Sequence, residues 1–433
     1  MWRLSWLVLL VLVASPQLGV LVVVHGNDED HQEAAADGTA LLVEDEFGDV
    51  HMNTTTQGAR VFVNGVDVLQ TIDTLESSIR FMEATLTWTL EGVCPSDFAS
   101  HQLDQDTIPF PASQQDTPAS HGLWWGGVAA SNGLIYATPS QSDSVLIIDP
   151  ATGAVDATTI TGLTTALGKW IGGHESNATS FIYCVPQYAT SVLMIDLRTN
   201  TAITTAISGL PVHTDKWRGS AMAEDGRIFA APSSYSAILI IEPEFNRVDY
   251  TTMAGFDGTV FNKWNDAVLA GNGKIYCIPA NADSVLLIDP ATNTFDATSI
   301  VASGPGFQEW GFGVLAGING KIYGMPYDAD SVLIIDPATD TVDTTTMSGV
   351  GNTPNKWLTG ASAANGLIYA FPASDVSSVL IVDPTSDTFD STSVSSLPSG
   401  NFQFSTVAAR NGNVYGIPFL ARSIPALHTT CTL

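Results

Sequence analysis

The sequence predicts an all-β fold, a seven-bladed β-propeller, because one motif recurs seven times between residues 101 and 433. Propeller blades are four-stranded sheets of roughly 40 to 50 residues. Each unit carries an aromatic residue shortly before a proline, and successive aromatics are 46 or 47 residues apart. These aromatics are Tyr136, Tyr183, Phe229, Tyr276, Tyr323, Tyr369 and Tyr415. Ahead of the propeller we predict a signal peptide and a short helical segment with a coiled-coil pattern.

Each unit divides into four strands, which we name a to d from the axis outwards. Strand a follows a tryptophan and is rich in Gly, Ala and Ser, as the crowded innermost strand requires. An Asn-Gly pair such as Asn272-Gly273 then predicts a tight hairpin turn, because it tolerates positive φ angles. Strand b ends in proline, and strand c is an apolar run followed by an Asp-Pro turn such as Asp289-Pro290. Strand d is polar, which protects the outer edge.

The last unit lacks a strand d, and a segment upstream of the first unit can replace it. Residues 103–108 repeat the pattern of strand d at 295–300. We therefore expect 103–108 to close the ring by completing the last blade. Cys94 lies just before this segment and Cys431 just after the last strand c, so we predict a Cys94–Cys431 disulfide that hinders opening of the ring.

Residues 1–26 have the apolar run of a secretory signal peptide. The alternative is an uncleaved signal-anchor, since the apolar region is close to membrane-spanning length. Pro16 and Gln17 interrupt the run, which favours cleavage and a secreted, extracellular protein with no remaining membrane span. Sequons at Asn53 and Asn177 are predicted glycosylation sites in a eukaryotic secretory pathway.

The segment between the signal peptide and the propeller has two parts. Residues 27–66 are acidic and are expected to be partly disordered. Residues 67–90 are predicted to form an amphipathic helix, because apolar residues alternate at spacings of four and three over 68–86. This seam favours a homo-oligomer, a trimer or tetramer; the alternative is a helix that packs on its own propeller.

The charge balance limits the partners. The chain has 44 Asp and Glu against 15 Lys and Arg, a formal net charge of −29. Nucleic acid and anionic membranes would be repelled. No cofactor is expected, although calcium on clustered aspartates is a hypothesis that the charge allows; neither an EF-hand nor a nonapeptide calcium pattern occurs.

The loops that join d to a and b to c emerge on one face, which we name the Trp-side face because most d–a loops end in tryptophan. One hypothesis is a binding funnel in which Trp170, Trp217 and Trp264 stack on sugar rings or cations. The alternative is structural: each tryptophan packs between blades, and the lysine before it pairs with an aspartate of a neighbouring loop. We favour the structural interpretation, because a residue repeated in nearly every blade usually has an architectural role.

Residues that differ from blade to blade are better candidates for a ligand site. They are expected to face the central channel or its opening. These candidate ligand-binding residues are Trp125, His174, Glu175, Arg218, Asp266, Glu309 and Phe312.

Signals of catalysis are sparse. His-x-x-x-His and Cys-x-x-Cys metal motifs are absent from the sequence, as is Gly-x-Ser-x-Gly. Cys184 and Cys277 occupy the same position of the repeat two blades apart and are expected to be small buried side chains. No catalytic residue is predicted.

The motifs Trp-x-Gly-Gly, Asn-Gly-Lys-Ile-Tyr-x-x-Pro and Val-Leu-Ile-Ile-Asp-Pro-x-Thr resemble those of kelch-like and quinoprotein-like (YncE-type) seven-bladed propellers over residues 101–428. The cofactor-binding residues that quinoprotein dehydrogenases need are lacking, so the resemblance implies fold and not catalysis. Our leading hypothesis is a secreted binding or adhesion module for a carbohydrate or protein ligand. The alternatives are an extracellular propeller hydrolase or lyase, and a structural component of an extracellular coat.

Overall fold

The computed structural model describes residues 122–176, 178–302, 309–395, 397, 404–421 and 423–429, together with five strands nearer the N-terminus. The chain divides into two compact units, Met1–Val93 and Cys94–Leu433. In the first unit, β1 (Leu41–Glu44) pairs antiparallel with β2 (Val50–Asn53), and β3 (Phe62–Val63) pairs with β4 (Val66–Asp67). Within the described residues, no helix is long and apolar enough to cross a membrane.

The second unit contains seven four-stranded antiparallel sheets, which confirms the predicted seven-bladed propeller. Strands a are β6 (Trp124–Ala129), β10 (Trp170–Ser176), β14 (Trp217–Met222), β18 (Trp264–Leu269), β22 (Trp310–Leu315), β26 (Ala361–Ser362) and β30 (Phe404–Ala408). Strands b are β7 (Ile135–Pro139), β11 (Phe181–Pro186), β15 (Ile228–Pro232), β19 (Ile275–Pro279), β23 (Ile322–Pro326), β27 (Ile368–Ala370) and β31 (Val414–Pro418).

The outer two strands complete each blade. Strands c are β8 (Leu146–Asp149), β12 (Leu193–Asp196), β16 (Leu239–Glu242), β20 (Leu286–Asp289), β24 (Leu333–Asp336), β28 (Leu380–Asp383) and β32 (Ile424–Leu427). Strands d of blades 1 to 6 are β9 (Ala154–Asp156), β13 (Thr201–Ile203), β17 (Arg247–Asp249), β21 (Thr294–Asp296), β25 (Thr341–Asp343) and β29 (Thr388–Asp390). A 3-10 turn at Pro243–Phe245 joins β16 to β17.

Blade 7 takes its outer strand from the start of the propeller unit. Strand β5 (Leu103–Ile108) pairs antiparallel with β32, with Leu103 opposite Leu427 and Ile108 opposite Ile424. The ring is therefore closed by strands from its two ends, so that β32 is not left as a free edge.

Several expectations fall on residues outside the described part of the chain. They concern the signal peptide at 1–26, the helix at 67–90 beyond Asp67, the oligomer seam at 68–86, the Cys94–Cys431 disulfide and glycosylation at Asn177. Asn53 is the last residue of β2. These expectations stay predictions.

Neighbouring blades are joined by hydrogen bonds from the repeated tyrosines. The Tyr276 hydroxyl donates to Asp340 Oδ1 in the c–d turn of the next blade, at 2.5 Å. Asp340 has a φ of 53°, a left-handed conformation that Asp and Asn tolerate. In blade 3, Phe229 takes the place of the tyrosine, and Arg227 Nη1 donates instead to Asn293 Oδ1 at 2.7 Å. The inter-blade contact therefore survives a change in the repeat.

Strands a of blades 1 to 5 are bulged close to their tryptophan. The pairing register between strands a and b shifts within the first four residues of β6, β14 and β22, between Ile171 and His174 in β10, and between Trp264 and Asp266 in β18. A bulge bends a strand and redirects its side chains. In the described part of blade 7 the register is regular. The bulges therefore set how side chains next to the tryptophans approach the axis.

Candidate functional site

The repeated tryptophans are structural members of the blades. Trp170, Trp217 and Trp264 are at most 4% exposed. Their indole N–H groups donate to the backbone carbonyls of Ser191, Ala237 and Ser284, at 2.7, 2.8 and 2.8 Å. Each acceptor lies just before strand c of the same blade. These contacts support the structural interpretation of the repeated tryptophans over the funnel hypothesis.

The lysines that precede the tryptophans are buried and bind backbone, not aspartate side chains. Lys169 Nζ donates to the carbonyls of Ser140 and Ser142, at 3.2 and 2.9 Å. Lys216 Nζ reaches the carbonyls of Gln187 and Ala189, at 3.1 and 2.9 Å. The Lys–Asp pairing expected from the sequence is replaced here by contacts that join adjacent blades. Burial lowers the pKa of both lysines to about 8.

Divergent residues of several blades meet at the axis on the Trp-side face. We name Trp125, Arg218, Phe312, Tyr327 and Phe419 the mouth. The Trp125 and Phe419 ring centroids are 4.9 Å apart. Trp125 and Phe312 both pack against the cluster that contains Tyr327. Since Trp125 belongs to blade 1 and Tyr327 to blade 5, Trp125 spans the opening of the channel.

The backbone after Trp125 requires glycine. Gly126 has a φ of 78°, and an added Cβ would lie 2.8 Å from the backbone of Gly172 in the next blade. Only glycine combines this φ with so close an approach of two chains. The Gly126 N–H donates to Ser405 Oγ at 3.0 Å, which ties blade 1 to blade 7. The Trp-Trp-Gly-Gly sequence of blade 1 thus fixes the backbone that carries Trp125.

Arg218 is held rigidly beside Trp125. Its guanidinium lies 5.7 Å from the Trp125 ring centroid, within cation–π range. Nε and Nη2 donate to the two carboxylate oxygens of Asp215, at 3.1 and 3.2 Å, and Nη1 donates to Asn265 Oδ1 at 2.6 Å. The side chains of the pair are only 12% and 13% exposed, so the ion pair is largely removed from water. Gln187 Nε2 donates to the same carboxylate at 2.6 Å.

The network of contacts around Arg218 leaves one hydrogen-bond donor and one acceptor without a partner. Within the described residues, the buried Trp125 Nε1 has no hydrogen-bond acceptor and the buried Gln187 Oε1 has no donor. Most buried polar atoms in native proteins are hydrogen-bonded, and leaving one unpaired costs about 1–3 kcal/mol. Two unused groups on one connected network make it a candidate site for a polar ligand.

Tyr327 adds a hydroxyl to the mouth. Burial, with Asp328 nearby, raises the pKa of Tyr327 to about 12, so the hydroxyl keeps its proton at neutral pH. Tyr188 is 39% exposed. Burial raises the pKa of its hydroxyl, the nearby Asp215 also raises it, and Arg218 lowers it. Tyr188, Tyr327 and Phe419 were not among the candidates predicted from the sequence. The feature that could have identified them is their position in the b–c loops of the Trp-side face.

His174 and Asp266 lie further along the inner strands. His174 Nε2 is 2.7 Å from the carbonyl oxygen of Ser220, and burial lowers the pKa of the imidazole. Asp266 Oδ2 accepts the Gly313 N–H at 3.1 Å, and burial raises the pKa of this carboxyl to about 8. Both side chains are therefore mainly uncharged at neutral pH.

Two other candidates do not join the mouth through their side chains. Glu175 accepts hydrogen bonds from the Ser131 N–H, at 2.6 Å, and from the Ser131 hydroxyl. Ser131 belongs to an a–b turn, so Glu175 lies towards the opposite face of the propeller. Glu309 is half-buried, and its backbone carbonyl accepts N–H groups from Tyr327 and the two residues after it, at 3.0 to 3.1 Å. It thereby supports the loop that carries Tyr327.

No metal-binding site is visible in the described part of the chain. No group of three or more His, Cys, Asp or Glu side chains there could hold a metal ion. Cys184 and Cys277 are buried free thiols, and burial raises the pKa of Cys184 to about 12.

No protein-family model matches the chain, and no curated protein sequence is significantly similar to it. Solved structures do share its fold. A streptogramin B lyase has a TM-score of 0.58 at 11% identity, over 77% of this chain and 99% of the other. A catalytically inactive virginiamycin B lyase from Staphylococcus aureus, solved with quinupristin, has a TM-score of 0.56 at 9% identity, over 76% and 99%.

An extracellular domain of a putative hybrid two-component system from B. thetaiotaomicron has a TM-score of 0.54 at 13% identity, over 77% of this chain and 40% of the other. At sequence identities this low, the structural similarity establishes the propeller fold alone. The chain is thus a propeller whose structural relatives include extracellular domains and lyases.

Proposed function

We propose that this protein is a secreted, extracellular carbohydrate-binding propeller and that the mouth is its ligand site. The observation that carries the proposal is the pair of unused groups on one rigid network, the Trp125 indole N–H and Gln187 Oε1. A sugar hydroxyl both donates and accepts hydrogen bonds. Sugar hydroxyls would therefore satisfy both groups, which an apolar ligand would not.

The remaining features of the mouth support a sugar ligand. Trp125, Phe312 and Phe419 supply apolar surface for the C–H faces of a sugar ring. Asp215, Asn265 and Gln187 hold Arg218 in place before a ligand arrives, so little side-chain entropy would be lost on binding. The Arg218 charge is paired with Asp215, which favours a neutral ligand over an anionic one.

Multivalent display extends the proposal. If residues 68–86 assemble as a trimer or tetramer, several mouths act together, and weak single-site binding gains avidity. The extracellular domains among the structural relatives support a location outside the cell.

A glycan array would test the proposed function. The secreted protein, the Arg218→Gln variant and a variant lacking residues 1–93 would be screened with and without calcium. We expect discrete neutral-glycan hits that Arg218→Gln loses and that weaken without 1–93. Arg247→Gln is the matched control, because Arg247 is exposed and pairs with Glu242 near a c–d turn. Absence of hits, or equal loss in both arginine variants, would refute the proposal.

An extracellular hydrolase or lyase is the alternative, and one observation favours it. Asp266 is a carboxyl kept neutral by burial on an inner strand, where it could donate a proton. Mass spectrometry of the array hits after incubation would distinguish the two functions. A binding module leaves the glycan intact, whereas an enzyme yields products that Asp266→Asn abolishes.

A further inference from the structure

Exposed apolar side chains are concentrated on the Trp-side face, outside the mouth. Six of the nine large hydrophobic residues that are exposed in the described part of the chain belong to loops of this face. Leu167, Val212, Phe261 and Val301 are 59%, 91%, 57% and 62% exposed. They come from the d–a loops that follow blades 1 to 4, and we name these four residues the rim.

The loops that carry the rim residues are linked, because each d–a loop contacts a neighbouring b–c loop. The Tyr188 N–H donates to the Gly168 carbonyl at 3.0 Å, next to Leu167. His213, next to Val212, lies edge-on to Tyr235 with ring centroids 5.8 Å apart. Such links place the exposed side chains along one arc of the ring, from blade 1 to blade 5.

The same pattern continues at the far end of the arc. Asn281 Nδ2 donates to the Phe261 carbonyl at 2.9 Å. The Ala302 N–H donates to the Asp283 carbonyl, also at 2.9 Å, so that Val301 and Phe261 flank one b–c loop.

The charge of the arc is negative. Asp143, Asp257 and Asp283 are exposed in its loops. The lysines of these loops lie beneath the surface, with Lys169 near Asp143 and Lys263 near Asp257. Lys169, Lys216 and Lys263 are buried, and each Nζ donates to backbone carbonyls. The rim thus offers apolar side chains beside exposed carboxylates, while the ammonium groups of the nearby lysines point inward to backbone carbonyls.

We infer that the rim docks a cationic, amphipathic segment of another protein. Apolar side chains of the partner would cover the rim residues, and its lysines or arginines would face the aspartates. A second copy of this chain is unsuited at the rim itself, because contact between two rims would bring their exposed aspartates together. Residues 67–90 of the chain itself are also unsuited, since they contain four acidic residues and one arginine. Docking at the rim does not depend on sugar binding at the mouth.

The test uses the full secreted chain and two synthetic peptides of the same pattern, one of leucine and lysine and one of leucine and glutamate. Binding would be measured by fluorescence anisotropy at low and high salt. The triple variant Leu167→Ser, Val212→Ser and Phe261→Ser removes the rim. The matched control is Phe245→Ser with Ile318→Ser, because these two side chains are 58% and 61% exposed in turns of the opposite face. Melting curves would verify that both variants fold.

We expect the lysine peptide to bind the wild type and the opposite-face control alike, and the rim variant about tenfold more weakly or worse. High salt should weaken this binding. Failure of the lysine peptide to bind, or equal binding by the rim variant and the control, would overturn the inference. Equal binding of the glutamate peptide would do so as well. Arg218→Gln should leave peptide binding unchanged, which separates the rim from the mouth.

Discussion

The Asp266 carboxylate packs directly on Gly219 of the preceding blade, and a Cβ on Gly219 would lie 1.8 Å from Asp266 Oδ1. The contact closes the wall between strands a of blades 3 and 4 and leaves Asp266 only 8% exposed. The Asp266 carboxyl therefore loses most of its hydration on folding, and its pKa rises to about 8.

We predict that Asp266 makes the protein less stable as pH rises. Between the unfolded pKa of about 3.9 and the folded pKa of about 8, the native state retains a proton that the unfolded chain releases. The unfolding free energy should fall across this window by up to about 1.4 kcal/mol per pH unit, with no further change from Asp266 above it. Asp266→Asn should remove this dependence and be more stable than the wild type at pH 8.

Denaturant unfolding between pH 5 and pH 9 would measure the effect. Asp283→Asn, an exposed aspartate of the same blade, is the control and should follow the wild type. Parallel pH profiles for Asp266→Asn and the wild type would contradict the assigned cause.

The inter-blade tyrosines give a second prediction. Tyr276→Phe removes the hydrogen bonds to Asp340 and Asn272, so we expect a loss of about 1 kcal/mol in unfolding free energy. Tyr415→Phe should cost less. The equivalent turn of the next blade has Gly153 without a side chain, and the Tyr415 hydroxyl accepts from Asn411 Nδ2 at 3.1 Å. Equal losses in the two variants would show that the turn residue contributes nothing.

Ring closure gives a third prediction, tested by deletion. Removing residues 1–93 should leave a folded propeller, because the second compact unit begins at Cys94. Removing 1–108 deletes β5, exposes the edge of β32 and should cause aggregation or a large fall in melting temperature. Cys94→Ser in the longer variant separates the strand from the predicted disulfide. Similar melting curves for the two deletions would contradict closure by β5.

Most of the propeller could be predicted because its determinants are local and repeated. The Asn272-Gly273 and Asp289-Pro290 turns limit the strands of blade 4, and the same pairs recur in other units. Seven units at one period allow few architectures other than a closed ring. The pattern of 103–108 identified the segment that pairs with β32 for the same reason.

The site was less predictable because it depends on contacts between distant blades. Trp125, Arg218 and Phe312 could be selected because they differ from the repeat, but no sequence pattern indicated the bulges that follow Trp124, Trp217 and Trp310. Charge complementarity suggested Lys–Asp pairs, whereas the buried lysines bind carbonyls that no sequence pattern marks. Gln187 and Tyr327 could not be identified as site residues from the sequence, because their contacts form only where the loops converge.

The most direct test of the carbohydrate site is a calorimetric titration of the best array glycan into the wild type and Trp125→Phe. Phenylalanine keeps an aromatic ring and removes the indole N–H that has no acceptor in the described structure. The loss of an unsatisfied buried donor offsets part of the packing and cation–π contact that the smaller ring gives up, so the melting temperature should change little. We expect binding at least about tenfold weaker, equivalent to about 1.4 kcal/mol, with a melting temperature close to that of the wild type. Unchanged affinity in Trp125→Phe would contradict the assignment of the mouth as the sugar site.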